Sequence, residues 1–259
     1  MTARYAVYFS PARDTPLARV GTRWLGRGDT TPEEAGPPPV DGFATARLDE
    51  ITDSARHYGF HATLKPPFAV AEGRTEAELD AALADFAQCH TPITGLELRV
   101  GALDGFLALL LSADSTGVRN LAAACVRDFD PFRRPPTEAE LARRRAARLS
   151  ALEDALLMRW GYPYVMEAFR FHMTLTARLP QDEQDRLIPV LREMFAPAAA
   201  GFAIDGISLF FQEAGDRPFR LLRRYPFGAG SARSMDTKDA TDRASGPSLT
   251  SVRTSPPST

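Results

Sequence analysis

Two short segments of this chain repeat one pattern of aromatic, His, small or apolar, Thr, Leu. They are Phe60-His61-Ala62-Thr63-Leu64 and Phe171-His172-Met173-Thr174-Leu175. Each lies in a run with strand-like alternation, and a β-strand turns residues i and i+2 to the same face. His61 and Thr63 therefore project together, as do His172 and Thr174, while the Phe, Ala or Met, and Leu of each copy face a core. The two histidines stand 111 positions apart and make up half of the chain's four. Two imidazoles and two hydroxyls duplicated in this way predict one composite site built from two halves.

Imidazole titrates near neutrality, so at working pH one His can be neutral while the other is protonated. That pairing suits cleavage of a phosphate ester. One His takes a proton from attacking water and the other gives one to the leaving oxygen, each role being worth about 10²–10⁴-fold in rate. The Thr hydroxyls can donate to non-bridging phosphate oxygens. Strand parity places Lys65 and Arg170 on the motif face as charge-assisted phosphate contacts, and Tyr58 reaches the rim. The competing structural roles are a strand-end solvent charge for Lys65 and a cover over the core for Tyr58. No His-x-His, His-Glu-x-x-His or cysteine cluster is present, so neither a metal nor a cofactor is expected. His57 and His61 are four apart, but Gly59 and the strand pattern deny them a shared helix face. His90, before Thr91-Pro92, reads as a helix cap or surface residue.

These side chains need elements to hold them. A strand is expected over residues 4–9, followed by a Gly- and Pro-rich surface excursion through Pro37-Pro38-Pro39 with Trp24 and Leu25 tucked in. After the His61 strand, Thr75 and Glu78 form a capping box for a helix whose apolar stripe is Leu79, Leu83 and Phe86. Strands at Gly95–Val100 and Phe106–Leu111 flank the turn Asp104-Gly105. The same β-α-β-β order follows His172: a helix over 182–195, imperfect at Pro189, then strands near 203–211 and 218–225 around Gly215-Asp216. Gly105 lies 44 positions after His61 and Gly215 lies 43 after His172, an offset match that marks an internal repeat. Between the units, one helix is expected over 116–129. A second is expected over 138–160, opened by Thr137 and Glu140 and closed by Gly161. Its Arg143, Arg144, Arg145 and Arg148 form a basic segment, read chiefly as a solvated face and otherwise as an overhang that meets an anionic substrate. The fold class is thus α+β, with two β-α-β-β units (60–112 and 170–225) around a central cleft and a helical insertion over 115–160, all in one domain spanning 1–227. Residues 228–259, poor in apolar side chains, read as a disordered tail.

Composition sets bounds on function. The chain has 259 residues, and a formal charge of −2 supplies no global basic field for long nucleic acid. No apolar stretch approaches the roughly 20 residues of a membrane span, and no secretory pattern precedes the first strand, so a cytoplasmic location is expected. Cys89 and Cys125 have no metal-type spacing and read as buried thiols in a reducing compartment.

Paired His-x-Thr strands in a bilobal, pseudo-symmetric α+β chain resemble the two-histidine (2H) phosphoesterase superfamily. Tyr58-Gly59-Phe60-His61-Ala62-Thr63-Leu64-Lys65-Pro66-Pro67-Phe68 is similar to one bacterial branch in particular. So are Phe169-Arg170-Phe171-His172-Met173-Thr174-Leu175-Thr176 and Trp24-Leu25-Gly26-Arg27. That branch is an uncharacterised-domain family described as phosphonate metabolism proteins and encoded beside carbon–phosphorus lyase genes. The likeness covers about residues 4–227. It implies a metal-independent cyclic phosphodiesterase acting on a small sugar phosphate, 5-phosphoribosyl 1,2-cyclic phosphate, with Arg170, Lys65 or the Arg143–Arg148 segment available for the 5-phosphate. Ser54-Ala55-Arg56-His57 departs from the Pro-Arg-rich approach expected there, and no role is transferred to Arg56 or His57. The alternatives are an RNA-end 2′,3′-cyclic phosphodiesterase or ligase-like protein, disfavoured by the near-neutral charge, and a non-catalytic binder of cyclic phosphates. The expected partner is a small phosphate ester, with no membrane and no long nucleic acid; oligomeric state is not legible.

Overall fold

The computed structural model describes residues 3–27 and 37–228. Strand β1 (Arg4–Phe9) is buried along almost its whole length. Helix α1 (Pro16–Leu25) follows, capped by the Thr15 hydroxyl on Ala18 N–H and closed by Gly26 in the left-handed region at φ 59°. Helix α2 (Thr45–Tyr58) ends at Gly59, φ 81°. The sequence reading expected an extended excursion where α1 lies and no element where α2 lies. Gly, Pro and Arg diluted the composition, yet Leu17, Ala18, Gly21, Trp24 and Leu25 are buried at helical spacing. Trp24 and Leu25 are tucked in as expected, and the Trp24 indole N–H donates to Leu175 O at 2.8 Å.

The first unit is β2 (Ala62–Phe68), α3 (Glu76–Gln88), β3 (Ile93–Leu96), β4 (Leu98–Leu103) and β5 (Phe106–Leu111). Helices α4 (Thr116–Asp128), α5 (Glu138–Arg145) and α6 (Ala151–Trp160) form the insertion. The second unit is β6 (His172–Arg178), α7 (Gln181–Ala199), β7 (Phe202–Ile204), β8 (Gly206–Gln212) and β9 (Arg220–Pro226). The repeat therefore has one more strand per unit than the sequence pattern indicated. In both units the first expected strand after the helix breaks once, at Glu97 and at Asp205, and the two short halves, β3 and β7, pair in a small sheet of their own. The helix expected over 138–160 is also two: Arg148 takes φ 55°, and Ser150 with Glu153 forms a capping box that starts α6 afresh. Helix α7 runs through Pro189, which lies on its exposed face, where solvent can satisfy the carbonyl left without an N–H donor. The capping boxes at Thr75 and Thr137 and the Gly161 stop are present as read.

The main sheet has seven antiparallel strands in the order β4-β5-β6-β2-β1-β8-β9. Its two halves meet at the junction of β6 and β2, where Ala62 opposite Met173 is the one pair in register. These are the middle residues of the two motifs. Phe60, Ala62, Leu64, Phe171, Met173 and Leu175 are all buried in one core cluster beneath the sheet, as strand parity required. Cys125 is buried, whereas Cys89, at the C-cap of α3, is exposed, which corrects the reading of both as buried thiols. The expected disordered tail lies outside the described residues apart from Gly228.

Candidate active site

The antiparallel register that sets Ala62 opposite Met173 places Thr63 beside His172 and His61 beside Thr174. Cβ atoms of such neighbours lie about 4.5–5.5 Å apart. All four side chains are half-buried, between buried apolar neighbours, on the face of the sheet away from the core. The site is thus centred on the junction between the two halves.

Both imidazoles are held in the same way. His61 Nδ1 lies 2.8 Å from Gly59 O, and His172 Nδ1 lies 2.8 Å from Arg170 O. A carbonyl oxygen only accepts, so Nδ1 carries the hydrogen in each ring and Nε2 keeps its lone pair. In His61 that nitrogen lies 3.2 Å from the Thr63 hydroxyl, which can donate to it. Gly59 presents its carbonyl at φ 81°, a conformation that favours glycine. Arg27 fastens the same turn, donating to the carbonyls of Arg56 (2.7 Å), His57 (3.1 Å) and Phe219.

The two histidines are electrostatically distinct. Burial pulls His61 down to about 4, and the positive charges of His172 and Arg27 push the same way against the Gly59 carbonyl. His172 is also lowered by burial and by Arg170, while the Arg170 carbonyl and the Asp104 carboxylate oppose that shift. Before substrate binds, both rings are therefore neutral at pH 7, with His172 the nearer to an anionic side chain.

An aromatic wall stands beside His61. Tyr8 of β1, paired with Thr63 in the sheet, stacks on the His61 ring with centroids 3.8 Å apart. Phe210 and Phe219 pack around Tyr8, and Tyr58 stacks on Phe219 at 5.2 Å, with its centroid 6.2 Å from His61. Tyr58 thus stands near His61, half-buried. Sequence reading missed Tyr8: its alternation within Tyr5-Ala6-Val7-Tyr8-Phe9 was visible, but its partner strand was not. Beside His172 lies a cavity of about 230 Å³ lined by Thr63, Asp104, Phe106, Tyr162, Arg170 and Arg178, among others. Arg170 is at its mouth, exposed and paired with Asp104 at 2.6 Å.

Lys65 is not at the cleft. Its side chain is 1% exposed, with Nζ 3.0 Å from Val126 O and 3.4 Å from Asp130 Oδ1, and burial lowers it to about 8. The strand pairing shifts between Val7 opposite Lys65 and Tyr8 opposite Thr63, so simple parity fails across that step. Arg56 is committed to Leu25 O, Asp49 and Thr52, and His57 Nε2 to the Gln212 amide. His90 Nδ1 donates to Phe86 O at 2.7 Å, the cap role read for it. A cavity of about 720 Å³ is lined by Gly59 and Phe60 but by neither histidine.

The sequence of residues 63–220 matches a family model described as a protein of unknown function (DUF1045). The chain belongs to that family. This agrees with the branch indicated by the twin motifs. A relative from Janthinobacterium sp. (strain Marseille), named ribose 1,5-bisphosphate phosphokinase PhnN, is 41% identical over 90% of this chain and 52% of its own length. A protein of the same name from Laribacter hongkongensis (strain HLHK9) is 37% identical over 91% of this chain and 54% of its own. The chain thus spans about half the length of these curated relatives. Among solved structures, E. coli LigT complexed with 3′-AMP is similar at 16% identity and TM-score 0.39, over 88% of this chain and 99% of that one. No helix of the described residues is long and apolar enough to cross a membrane.

Proposed function

We propose that this chain is a cyclic phosphodiesterase that opens a small sugar cyclic phosphate by histidine–histidine acid–base catalysis, without a metal. The observation that carries the reading is the pair of imidazoles at the junction of the sheet halves, each fixed by the carbonyl two residues earlier and each beside a Thr hydroxyl. His61, the ring most resistant to protonation, is the base and His172 the acid. With the substrate's anionic phosphate bound beside it, His172 takes up a proton from solvent on Nε2. Water then loses a proton to His61 Nε2 and its oxygen bonds to phosphorus; the ring P–O bond breaks, and the leaving oxygen takes the Nε2 proton of His172. Thr63 and Thr174 donate to the non-bridging oxygens, and holding phosphorus between the two rings supplies orientation.

The substrate class follows from the resemblance and from the relatives' name. Opening a 1,2-cyclic phosphate on 5-phosphoribose at the bond to O2 leaves ribose 1,5-bisphosphate, the compound named in the relatives' kinase activity. This chain matches one half of those proteins. Its only lysines are Lys65 and Lys238, and neither sits in a Gly-x-x-x-x-Gly-Lys-Ser/Thr phosphate loop. The kinase activity therefore fits the half that this chain does not span. A second reading, an RNA-end 2′,3′-cyclic phosphodiesterase, draws support from Tyr58, a half-buried ring 6.2 Å from His61 that could stack on a nucleobase.

Phosphorus NMR in the presence of EDTA tests these readings, with 5-phosphoribosyl 1,2-cyclic phosphate and a 2′,3′-cyclic nucleotide as separate substrates. Loss of the sugar cyclic-phosphate signal, abolished in His61→Ala and in His172→Ala, is the expected result. Preference for the nucleotide selects the second reading, and turnover that survives both substitutions overturns the mechanism.

A further inference from the structure

A further concavity, about 470 Å³ in volume, is lined by five arginines: Arg4, Arg133, Arg134, Arg143 and Arg144. Two acids, Glu140 and Asp216, also line it. Glu140 is occupied by the Thr137 N–H, by the Thr137 hydroxyl and by Arg134, and Asp216 is exposed at the rim. The arginines come from three separate parts of the chain: the first residue of β1, the segment after α4, and the last turn of α5. Like charges do not gather from such distances without something to offset their repulsion.

Besides Arg134, bound to Glu140, three of them are held in place. Gln212, fully buried, accepts from Arg4 Nε at 2.8 Å while its amide nitrogen reaches His57. Arg133 binds Asp130 through Nε at 2.8 Å, seated so close to Gly161 that a Cβ there would meet Nη1 at 2.9 Å. Arg144 lies over the Tyr162 ring at 4.5 Å. Two buried donors in this group, Arg133 Nη1 and Arg134 Nε, have no acceptor among the described residues. Buried guanidinium donors without an acceptor are costly, and an anion supplied from outside would satisfy them.

The pocket shares walls with the catalytic cleft. Tyr162, under Arg144, lines the cavity that holds Thr63 and His172. Phe219, under Arg4 at 5.6 Å, packs on Tyr8 and Tyr58 beside His61. From Thr63 to Pro67, which lines the pocket, is four residues of strand, about 13 Å. That distance exceeds the length of a pentose, so the long arginine side chains must supply the remainder for one substrate to meet both sites.

We propose that this arginine pocket binds a second, non-reacting phosphate of the substrate, so that the enzyme selects cyclic phosphates that also carry a terminal phosphomonoester. Planar guanidinium forks match the oxygens of a phosphate dianion better than those of a singly charged group, and several of them give orientation as well as attraction. The assignment of ends rests on the cyclic-phosphodiesterase reading of the histidine cleft; the anion site itself does not.

The test is a double variant, Arg143→Gln with Arg144→Gln, whose positions are exposed and half-buried on α5 and whose fold is checked by thermal melting. Two readouts keep the two readings separate. In turnover, kcat/KM for 5-phosphoribosyl 1,2-cyclic phosphate should fall at least 10-fold in the variant, while that for ribose 1,2-cyclic phosphate, which lacks the terminal phosphate, stays within about 2-fold. In calorimetry, ribose 5-phosphate should bind the unaltered chain at least 10-fold more tightly than the variant. Equal binding of ribose 5-phosphate by both proteins, or equal losses on both cyclic substrates, overturns the pocket. If the unaltered chain turns over neither compound yet binds ribose 5-phosphate through these arginines, the catalytic reading fails and the phosphate pocket stands.

Discussion

The depressed titration of His61 makes folding stability depend on pH in a calculable way. In the unfolded chain this imidazole titrates near 6.5; in the fold it is pulled down to about 4, chiefly by burial. Between those values the unfolded state binds a proton that the native state refuses, so the native state loses stability as pH falls through this window. Integrating from pH 7 to pH 5 gives a loss of about 2 kcal/mol from this one residue, and most of it accrues below pH 6.5. His61→Asn removes the titration but keeps a polar side chain. Urea unfolding of both proteins at pH 7, 6 and 5 isolates the term, because every other acid-sensitive group is common to the two. The wild type should lose about 2 kcal/mol more than the variant over that interval. Parallel stability curves would mean that His61 titrates normally, and the assignment of His61 as the base would lose its electrostatic support.

The rate should follow the same titrations. A neutral His61 is needed above about 4, and His172, shifted below its ordinary value, must still hold a proton, so kcat/KM should form a bell with its maximum on the acid side of pH 6.5. An optimum above pH 8 contradicts that arrangement. Lys65→Met should leave kcat/KM within about 3-fold, since the amine never reaches the cleft, whereas Asp130→Ala strips the partner from Lys65 and Arg133 and should cost about 3–5 kcal/mol in chemical denaturation. A 100-fold activity loss in Lys65→Met would restore it to the site. A Cβ at Gly21 would fall 2.2 Å from Cδ1 of the Phe60 ring, next to His61, so Gly21→Ala should destabilise by about 1–3 kcal/mol and lower kcat. Adding Phe60→Leu should recover part of the stability; a purely additive double-variant cycle would rule out that contact as the cause.

The candidate site was legible in the sequence because it rests on local periodicity. Two His-x-Thr runs with period-2 alternation settle which side chains share a face, and the buried Phe60, Ala62, Leu64, Phe171, Met173 and Leu175 follow from that same rule. Capping boxes at Thr75 and Thr137 were legible for a similar reason, since each is a contact within four residues. What the sequence left open depends on contacts between distant residues. The opposition of Ala62 to Met173, which brings the four polar groups into one quartet, is a pairing across 111 positions. Lys65 left the cleft because a shift in its pairing with β1 broke parity, and its buried amine is met by Asp130 and the Val126 carbonyl. Helix α1 escaped notice in a Gly- and Pro-rich stretch, since its stripe gains meaning only once Trp24 has the Leu175 carbonyl to bind. The arginine pocket shows the same division. The basic run on α5 was plain in the sequence, but its meeting with Arg4, more than 130 residues earlier, was decided by the fold alone.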